Sequence, residues 1–423
     1  MEILRFGSRG NDVKIVQSIL SKIGYNPGPI DGIYGSMTLR AVRRFQADNG
    51  LISDGIVGPN TWGLLNRFIL GYDNYTIKPG DTFYNIANRY YTTVNAIITA
   101  NPDLNPNNLI VGTKIVVPYG IDVVLTDVGY TYEILEKNIE GLKARYPFLE
   151  VGTIGESVLG RNLYYIRLGR GEREVSYNAS HHALEWINSP VLMKFAENFL
   201  DAYVNNQSIR GYDVGDIWES SSIYIVPMVN PDGVDIVING ITPGNPYYEE
   251  ILEWNDTGEP VSEVWNANIR GVDLNRNYPA NWEEAKAQEP ELGVTGPGPT
   301  RYGGPSPLSE PETRAMVDFT NEHDFKMTLA YHTQGRVIYW QYLDFNPPGA
   351  RTIGEIFSRS TGYRLADVPY AAAFAGYKDW FIKEYNLPGY TFETGLGENP
   401  LPISQFDRIY RENEEVLLLA PIV

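Results

Sequence analysis

Two of the four histidines in this chain occur in a pattern typical of metal ligation. His182 and Glu185 form a His-x-x-Glu pair, and residues three apart on a helical turn lie on the same face. His332 follows 147 positions after Glu185, in a largely apolar segment. Imidazole nitrogens and a carboxylate oxygen suit zinc, and three protein ligands leave a fourth position for water, as in catalytic sites. These residues therefore predict one zinc ion per chain.

A His-x-x-Glu pair alone is common by chance, so the prediction depends on the motifs around it. Three more segments follow in order: Asn-Pro-Asp-Gly at 230–233, Ile-Arg-Gly-Val-Asp-Leu-Asn-Arg-Asn-Tyr-Pro at 269–279, and Gly-Tyr-Thr-Phe-Glu-Thr-Gly at 389–395. With these motifs, residues 125–423 resemble the carboxypeptidase A-like zinc peptidases. The resemblance implies an α/β catalytic domain whose mixed, mostly parallel sheet is flanked by helices.

The resemblance also implies roles for five residues of these motifs. Glu393 corresponds to the general base that takes a proton from water and passes it to the leaving amine. Arg270 corresponds to the fixed positive donor that stabilises the developing oxyanion. Asn275 and Arg276 resemble the pair that grips a free α-carboxylate, which a planar guanidinium binds bidentately. Asp273 resembles the acceptor that orients the first zinc-binding histidine through its second ring nitrogen.

Two further positions concern the substrate pocket. Tyr370 resembles the mobile tyrosine that closes over substrate, although its spacing to Trp380 is one residue longer than in the family pattern. Lys378, two positions before Trp380, corresponds to the floor of the pocket for the leaving residue's side chain. An ammonium group there would favour a side chain that ends in a carboxylate, such as diaminopimelate, and repel lysine. The alternative is that Lys378 only pairs with a surface acid.

The other two histidines have structural interpretations. His181 adjoins the predicted ligand but points the opposite way on an extended backbone, so we expect a packed or solvent-bonded side chain. His323 lies in the polar stretch Asn-Glu-His-Asp, and we expect it on the surface at the end of a helix. Neither is predicted to bind the metal.

A short repeat marks the N-terminal part of the chain. Asp-Gly-Ile-Tyr-Gly at 31–35 returns as Asp-Gly-Ile-Val-Gly at 54–58, and each copy leads into a predicted helix. Apolar residues at helical spacing, including Val13 and Val16, precede the first copy. Residues 1–70 therefore form a small helical module that resembles the peptidoglycan-binding three-helix domain. The alternative is a generic helical cap on the enzyme.

A second pattern occupies residues 74–118. Tyr-Thr-Ile-Lys-Pro-Gly-Asp-Thr at 75–82 predicts a strand, a turn and a helix N-cap, and Ala-Asn-Pro at 100–102 ends a later helix. The apolar run at 109–118 predicts a returning strand. This strand–helix–helix–strand order is similar to the LysM domain over its whole length. The resemblance implies that the module binds the N-acetylglucosamine of glycans through its loops.

These patterns predict three domains: a peptidoglycan-binding domain at 1–70, a LysM domain at 71–120 and a catalytic domain at 121–423. The first has a net charge of +3, the second is neutral and the third has −21. A strongly acidic catalytic domain argues against nucleic acid and anionic membranes as partners. The chain has no cysteine, which excludes a disulfide framework and a thiol nucleophile.

The start of the chain bears on localisation. It enters the first predicted domain directly, without the charged start and apolar segment of a secretory signal, and no apolar run is long enough to span a membrane. We therefore expect cytoplasmic synthesis and action on the cell wall, with access during sporulation, lysis or recycling. Secretion with a signal that has been trimmed away is the alternative.

Together, these patterns predict a bacterial cell-wall peptidase. Zinc peptidases of this type with LysM modules resemble the γ-D-glutamyl-L-diamino acid endopeptidases, which cut the bond between γ-linked D-glutamate and the diamino acid of peptidoglycan stem peptides. The Asn275–Arg276 pair suits a leaving diamino acid with a free carboxylate. The alternatives are a general zinc carboxypeptidase acting on α-linked peptides, a non-catalytic wall-binding protein, and amidase or deacetylase chemistry at another wall bond.

Overall fold

Contacts divide the chain into two units, Met1–Leu149 and Glu150–Val423. The structure is a computed structural model that describes residues 2–369 and 373–423. Among these residues, no helix combines the length and the apolar character that crossing a membrane requires.

Three short helices form the beginning of the first unit: α1 (Asn11–Lys22), α2 (Ser36–Asp48) and α3 (Pro59–Leu70). A glycine stands at the N-cap of each helix, as the glycine-punctuated loops predict. Val13 and Val16, from the predicted apolar stripe, are fully buried. Burial of one apolar face holds the three helices together, because helices this short have little stability of their own in water.

A buried glutamine holds each copy of the repeat in the same way. Gln17 donates a hydrogen bond to Asp31 at 3.0 Å, and Gln46 donates one to Asp54 at 2.9 Å. Each glutamine also accepts a hydrogen bond from the backbone amide of the glycine that follows its aspartate. Because buried amide groups need hydrogen-bond partners, a glutamine in each copy of the repeat holds the Asp-Gly loop of that copy. The sequence repeat is therefore also a structural repeat.

The next module has the predicted order of elements: β1 (Tyr72–Thr76), α4 (Phe83–Arg89), α5 (Val94–Ala100) and β2 (Lys114–Pro118). The two strands pair in antiparallel fashion. Side-chain oxygens of Thr82 and Thr93 cap the two helices by accepting a backbone amide hydrogen bond. Helix α6 (Tyr132–Arg145) completes the unit, and Arg145 donates to the carbonyls of Gly71 and Tyr119, just before β1 and just after β2 at one end of the strand pair.

The second unit contains one large sheet. In the part of the chain that the structure describes, its eight strands are β3 (Glu150–Glu156), β4 (Asn162–Gly169), β5 (Arg173–Ala179), β8 (Ser221–Val226), β9 (Phe325–Thr333), β10 (Val337–Tyr339), β11 (Arg364–Ala366) and β12 (Gly389–Thr394). A separate hairpin consists of β6 (Ser208–Ile209) and β7 (Tyr212–Asp213). The order in the sheet is β11-β10-β12-β9-β5-β8-β4-β3, with parallel pairing among the four central strands.

Helices flank this sheet: α7 (Asn188–Val204), α8 (Val214–Ser220), α9 (Pro231–Asn239), α10 (Tyr248–Trp254), α11 (Val261–Val264), α12 (Trp282–Gln288), α13 (Pro311–Asn321), α14 (Ala350–Thr361), α15 (Tyr377–Tyr385) and α16 (Phe406–Leu419). Short 3₁₀ turns lie at Ala183–Glu185, Leu274–Arg276, Pro290–Leu292 and Ile403–Gln405. Helix α7 packs on β4 and β5, and α15 packs on β9 and β12. The predicted mixed α/β fold of the catalytic part is confirmed.

The direction of the strand order changes between β5 and β9. From β5 the chain crosses to β8 on one side, and it later returns past β5 to β9 on the other side. The connections that leave β5 and β9 therefore diverge, which opens a crevice beyond the carboxyl ends of these two strands. Open α/β sheets bind ligands in such crevices.

Candidate metal centre and active site

The crevice beyond β5 and β9 contains the three predicted zinc ligands. After β5, the chain passes through Ser180, whose positive φ of 57° redirects it, to His182 and the 3₁₀ turn that ends in Glu185. His332 lies near the carboxyl end of β9. One ligand atom from each of the three side chains lies within 4.8 Å of the others. The structure thus brings together a local pair and a residue from a neighbouring strand.

The spacing of these ligand atoms fits zinc. His182 Nδ1 is 2.9 Å from Glu185 Oε1, and His332 Nδ1 is 2.9 Å from Glu185 Oε2. The two Nδ1 atoms are 3.3 Å apart. For a tetrahedral zinc ion bound to imidazole nitrogens at about 2.0–2.1 Å, two such nitrogens lie roughly 3.3 Å apart. Two nitrogens and a carboxylate in this arrangement are a donor set for zinc.

The carboxylate of Glu185 is ionised although it is buried. Burial raises its pKa, but the nearby His182 and His332 have the larger combined effect and lower the pKa to about 2. Metal ligands must be deprotonated, so an ionised carboxylate beside two imidazoles is the state that binds a cation.

Asp273 orients His182. Its Oδ1 lies 3.1 Å from His182 Nε2, and its two oxygens accept hydrogen bonds from the backbone amides of Asn275 and Arg301 at 3.2 and 2.9 Å. Burial alone would raise the pKa of Asp273, but the facing His182 holds it well below its usual range. A carboxylate that holds the second nitrogen of a metal-binding histidine fixes the ring and its tautomer. The second nitrogen of His332, in contrast, is buried without a hydrogen-bond partner among the described residues.

Glu393 stands beside this group, near the carboxyl end of β12. It is the register partner of His332 in the parallel pair of β12 and β9. Burial, and then the negative charge of Glu185, raise the pKa of Glu393 to about 8. A cation bound by the neighbouring ligands would oppose this shift, because positive charge favours the ionised form. A carboxyl group that titrates near neutral pH is suited to proton transfer.

Arg270 lies on the loop before Asp273, and its guanidinium contacts two other side chains. Its Nε is 3.4 Å from the hydroxyl of Tyr247, and its Nη1 is 3.7 Å from a carboxylate oxygen of Glu310. The side chain is 43% exposed. The role of Arg270 at the oxyanion stays a prediction.

Asn275 and Arg276 occupy the 3₁₀ turn directly after Asp273. Asn275 Oδ1 accepts a hydrogen bond from the Tyr377 amide at 3.0 Å, which ties this turn to the start of α15. The charge of Arg276 is one of the influences that lower the pKa of Asp273. The turn therefore positions a cation close to the ligand group, and its grip on a substrate carboxylate stays a prediction.

Lys378 is buried near the start of α15, and its charge is already paired. Its Nζ is 2.5 Å from Asp379 Oδ1 and donates to the carbonyl of Gln341 at 2.7 Å. Both members of the pair are only 4% exposed, so the partner is a buried acid and not the surface acid of the alternative interpretation. This position therefore presents two opposite charges side by side. Tyr370, the other residue predicted at this pocket, lies outside the described residues.

The remaining histidines differ from each other. His181 is fully buried, and its Nε2 lies 2.9 Å from the hydroxyl of Tyr278, so it packs behind the ligand group. The expected surface position of His323 is wrong. Its half-buried ring stacks on Phe325 at 4.9 Å between centroids, and its Nδ1 lies 3.2 Å from Glu174. The polar residues on both sides of His323 suggested an exposed position, but the side chain that covers its ring belongs to Phe325, the first residue of β9.

Two asparagines without a predicted role hold the loop that carries the first ligands. Asn230 Nδ2 donates to the carbonyls of His181 and Ala267 at 3.1 and 3.0 Å. The carbonyl of Asn266 accepts a hydrogen bond from the Ala183 amide at 3.0 Å. Asn230 belongs to the Asn-Pro-Asp-Gly motif, which indicated its importance, whereas nothing in the sequence pattern indicated Asn266.

All three predicted parts of the chain match known families. Residues 9–65 match the putative peptidoglycan binding domain, and residues 75–118 match the LysM domain. Residues 135–416, more than half of the chain, match the zinc carboxypeptidase family.

Individual relatives support these matches. The chain is 44% identical over 283 residues to γ-D-glutamyl-L-diamino acid endopeptidase 1 of Lysinibacillus sphaericus, which covers 67% of this chain and 70% of the relative. It is 38% identical over 291 residues to the uncharacterized protein YqgT of Bacillus subtilis (strain 168), covering 68% and 76%. The crystal structure of carboxypeptidase A from Helicoverpa armigera has a TM-score of 0.52 at 17% identity and covers 92% of this chain and 95% of that one, which shows a shared fold.

The donor set of two histidines and a glutamate, the sheet that assembles it and the family match over residues 135–416 agree with one another. The chain belongs to the zinc carboxypeptidase family, and its second unit is a zinc metallopeptidase.

Proposed function

We propose that this protein hydrolyses the γ-D-glutamyl–diaminopimelate bond of peptidoglycan stem peptides. The observation that carries the proposal is its 44% identity to a relative named γ-D-glutamyl-L-diamino acid endopeptidase 1. Two N-terminal matches, to a peptidoglycan binding domain and a LysM domain, support a substrate in the cell wall.

The chemistry follows from the residues around the ligand group. Zinc, when bound, supplies a Lewis acid that polarises a carbonyl and lowers the pKa of a water molecule. Glu393 takes a proton from the attacking water and transfers it to the leaving nitrogen as the C–N bond breaks. The products are a D-glutamate γ-carboxylate and a free diamino acid. Asp273 keeps the imidazole of His182 in the orientation that ligation needs.

Side chains of the motif at 269–279 would hold the substrate. We assign the free α-carboxylate of the leaving diamino acid to Asn275 and Arg276, because a guanidinium binds a carboxylate through two parallel hydrogen bonds. We assign the carbonyl oxygen, as charge develops on it, to Arg270, whose exposed guanidinium is held in the structure by Tyr247 and Glu310. Tyr370 keeps its proposed role of closing over the substrate.

The Lys378–Asp379 pair supports diaminopimelate as the leaving residue. The side chain of meso-diaminopimelate ends in both a carboxylate and an ammonium group, whereas lysine ends in an ammonium group alone. A buried lysine beside a buried aspartate offers an opposite charge to both ends of the first side chain, whereas the second can use only the aspartate and brings its ammonium group close to Lys378. Such discrimination arises partly from the cost of the wrong substrate.

The N-terminal modules would bring the enzyme to polymeric wall. We propose that the glycan N-acetylglucosamine binds the LysM module and that residues 1–70, 71–120 and 121–423 are the three functional domains. Binding to an insoluble polymer raises the local concentration of its stem peptides without touching the chemistry. Helix α6 lies in the first contact unit, whereas the zinc carboxypeptidase match begins at residue 135. The boundary between the second and third domains is therefore tested directly with separate fragments.

The test is mass spectrometry of the products from three synthetic peptides. The first is L-Ala-γ-D-Glu-meso-diaminopimelate, the second has the D-glutamate linked through its α-carboxyl, and the third has lysine in place of diaminopimelate. We expect L-Ala-D-Glu and free diaminopimelate from the first, with little cleavage of the other two. Cleavage of the α-linked peptide alone would show a general carboxypeptidase, and no cleavage of any peptide by zinc-loaded protein would show a binding protein. A Glu393→Gln variant controls for contaminating peptidases.

A further inference from the structure

A cleft of about 560 Å³ lies within the first unit, between the three-helix module and the strand–helix–helix–strand module. Ligand sites in proteins have volumes of about 300–1,000 Å³ and are lined mainly by apolar and aromatic groups with a few polar ones. This cleft has that composition, with six aromatic side chains in its lining: Tyr25, Phe45, Phe68, Tyr90, Tyr91 and Tyr119. None of the lining residues lies in the loops 77–82 and 101–113 of the second module.

The aromatic rings form a continuous row from one module to the other. Tyr25 contacts Phe45 at 5.6 Å between ring centroids, and Phe45 contacts Phe68 at 6.3 Å. Phe68 contacts Tyr119 at 4.6 Å, and Tyr119 contacts Tyr90 at 5.5 Å. These centroid distances lie in the ordinary range for interacting aromatic pairs. The two modules therefore share one aromatic wall.

Tyr91 stands at the mouth of this cleft in an unusual conformation. Its φ is 53°, in the left-handed region where a residue with a Cβ atom is disfavoured and glycine is the usual choice. Its side chain is 90% exposed, so packing does not explain a tyrosine at this position. A disfavoured backbone conformation beneath an exposed aromatic ring indicates a function for that ring.

The backbone at Gly120, which also lines the cleft, lies close to Tyr91. A Cβ atom on Gly120 would lie 1.7 Å from the carbonyl oxygen of Tyr91, so only glycine allows the connector after β2 to run against this turn. The Gly120 amide also points at the Tyr90 carbonyl, at 3.4 Å. The backbone therefore fixes the point from which the exposed Tyr91 side chain leaves the chain, at the edge of the aromatic wall.

The charged groups that line the cleft have partners in the protein, which favours an uncharged ligand: Lys22 donates to the Val124 carbonyl at 3.3 Å, and the other two are in ion pairs. Asp48 lies 3.7 Å from Arg44, and Arg89 lies 3.5 Å from Asp81. Asn49 adds an amide to the lining. A sugar ring matches this set, because its C–H faces pack on aromatic rings while its hydroxyl and acetamido groups hydrogen-bond to carboxylate, amide and guanidinium groups.

We propose that this cleft is a glycan-binding site shared by the two N-terminal modules and that it takes N-acetylated amino sugars of the wall glycan. Tyr91 covers one sugar face from the second module, and Asp48 hydrogen-bonds to the sugar from the first. The site is separate from the loops through which a LysM resemblance implies binding. It concerns binding alone and is independent of the bond that the second unit cuts.

Calorimetric titration of the full chain with the tetrasaccharide of N-acetylglucosamine tests this site. Tyr91→Gly should lower the affinity roughly 5- to 10-fold, the effect of losing one ring contact. Its melting temperature should hold or rise, because glycine adopts the positive φ without strain. Tyr84→Ala is the matched control, since Tyr84 is a 68% exposed tyrosine of the same module that does not line the cleft. Wild-type affinity of Tyr91→Gly, or an equal loss in Tyr84→Ala, overturns the proposal.

A double-mutant cycle tests whether both modules contribute. Asp48→Ala should also weaken binding, and the double variant with Tyr91→Gly should lose less than the product of the two single effects, because both side chains contact one ligand. Unchanged binding by Asp48→Ala would overturn a shared site. Cleavage of a small soluble stem peptide, measured on the same proteins, should be equal in all variants, so a failure of the proposed peptidase activity is seen separately.

Discussion

Glu393 lies opposite His332 in the register of the parallel strands β12 and β9. Because parallel strands end at the same edge of a sheet, the two side chains reach the same crevice. One belongs to the donor set for zinc, and the other is a carboxyl group whose pKa is raised to about 8. Metal binding and proton transfer are therefore assigned to adjacent strands, and substitutions should separate them.

Glu393→Gln should keep bound zinc and lose turnover. An amide cannot accept the proton of the attacking water, and general base catalysis contributes on the order of 100-fold or more. The measurements are the zinc content of the purified variant and kcat on a soluble stem peptide. Near-normal turnover with full zinc would show that another group is the base.

His332→Ala should lose both zinc and activity while the fold persists. The core of the second unit is a large cluster of buried apolar and aromatic side chains that His332 does not belong to, so circular dichroism and the melting transition should stay close to those of the metal-free wild type. His323→Ala, which removes a half-buried histidine just before the start of β9, at the opposite end of the strand from His332, is the control and should keep its zinc. Stoichiometric zinc in the His332 variant would reject the ligand assignment.

Lys378→Met should reduce the preference for diaminopimelate over lysine. Losing one charge-assisted contact corresponds to roughly 10-fold in kcat/KM for the preferred substrate. Because methionine alone would leave Asp379 buried and unpaired, the double variant Lys378→Met/Asp379→Asn is needed as a second test. The measurement is kcat/KM for two peptides that differ only in having diaminopimelate or lysine. If both variants keep the wild-type ratio of these two values, Lys378 does not contribute to the preference.

The two N-terminal modules should carry wall binding by themselves. A fragment of residues 1–120 should sediment with insoluble peptidoglycan. A fragment of residues 121–423, which contains the whole zinc carboxypeptidase match at 135–416, should cleave small soluble stem peptides but lose the preference for polymeric wall that the full chain shows, because the modules add local concentration. Equal sedimentation of the two fragments would contradict this division.

Glu312 should make stability depend on pH. It is fully buried, and burial, with further contributions from Asp232 and Glu310, raises its pKa from 4.5 to about 8. The folded state therefore binds more protons than the unfolded state between these values. Its stabilising effect is complete below about pH 4.5 and is lost as the pH rises through 8, by an amount on the order of a few kcal/mol.

Glu312→Gln isolates this effect. The amide retains an oxygen that can accept the hydrogen bond from the Val158 amide, but it does not titrate. Urea unfolding at pH 5 and pH 9 should show a smaller loss of stability at high pH in the variant than in the wild type. The same pH dependence in both proteins would assign the titration to other groups.

The sequence was sufficient for features that depend on local spacing. His182 and Glu185 are three positions apart, and the turn that places them on one face is a property of neighbouring residues. The glycine-punctuated repeat predicted three helices, and the alternation of strand, turn and N-cap predicted the module that follows. These elements form largely from contacts within a short stretch of chain.

Separate motifs that follow one another in the order of a known family also predicted contacts between distant residues. His332 could be placed with Glu185 only because the surrounding motifs resemble a known family. Spacing alone does not predict which strands become neighbours, since the strand order of a sheet follows from how all its strands and helices pack.

Tertiary structure decided what each charged side chain faces. Sequence left open whether Lys378 meets the substrate or a surface acid, but the fold buries it beside Asp379 and against the carbonyl of Gln341, which comes from a distant segment. Sequence predicted the charge of Arg270, and the fold supplies the partners of its guanidinium, Tyr247 and Glu310. Residue identity determines which chemistry is available, whereas burial and partner charges arise from chain segments far apart in sequence, and these set the pKa values and contacts on which function depends.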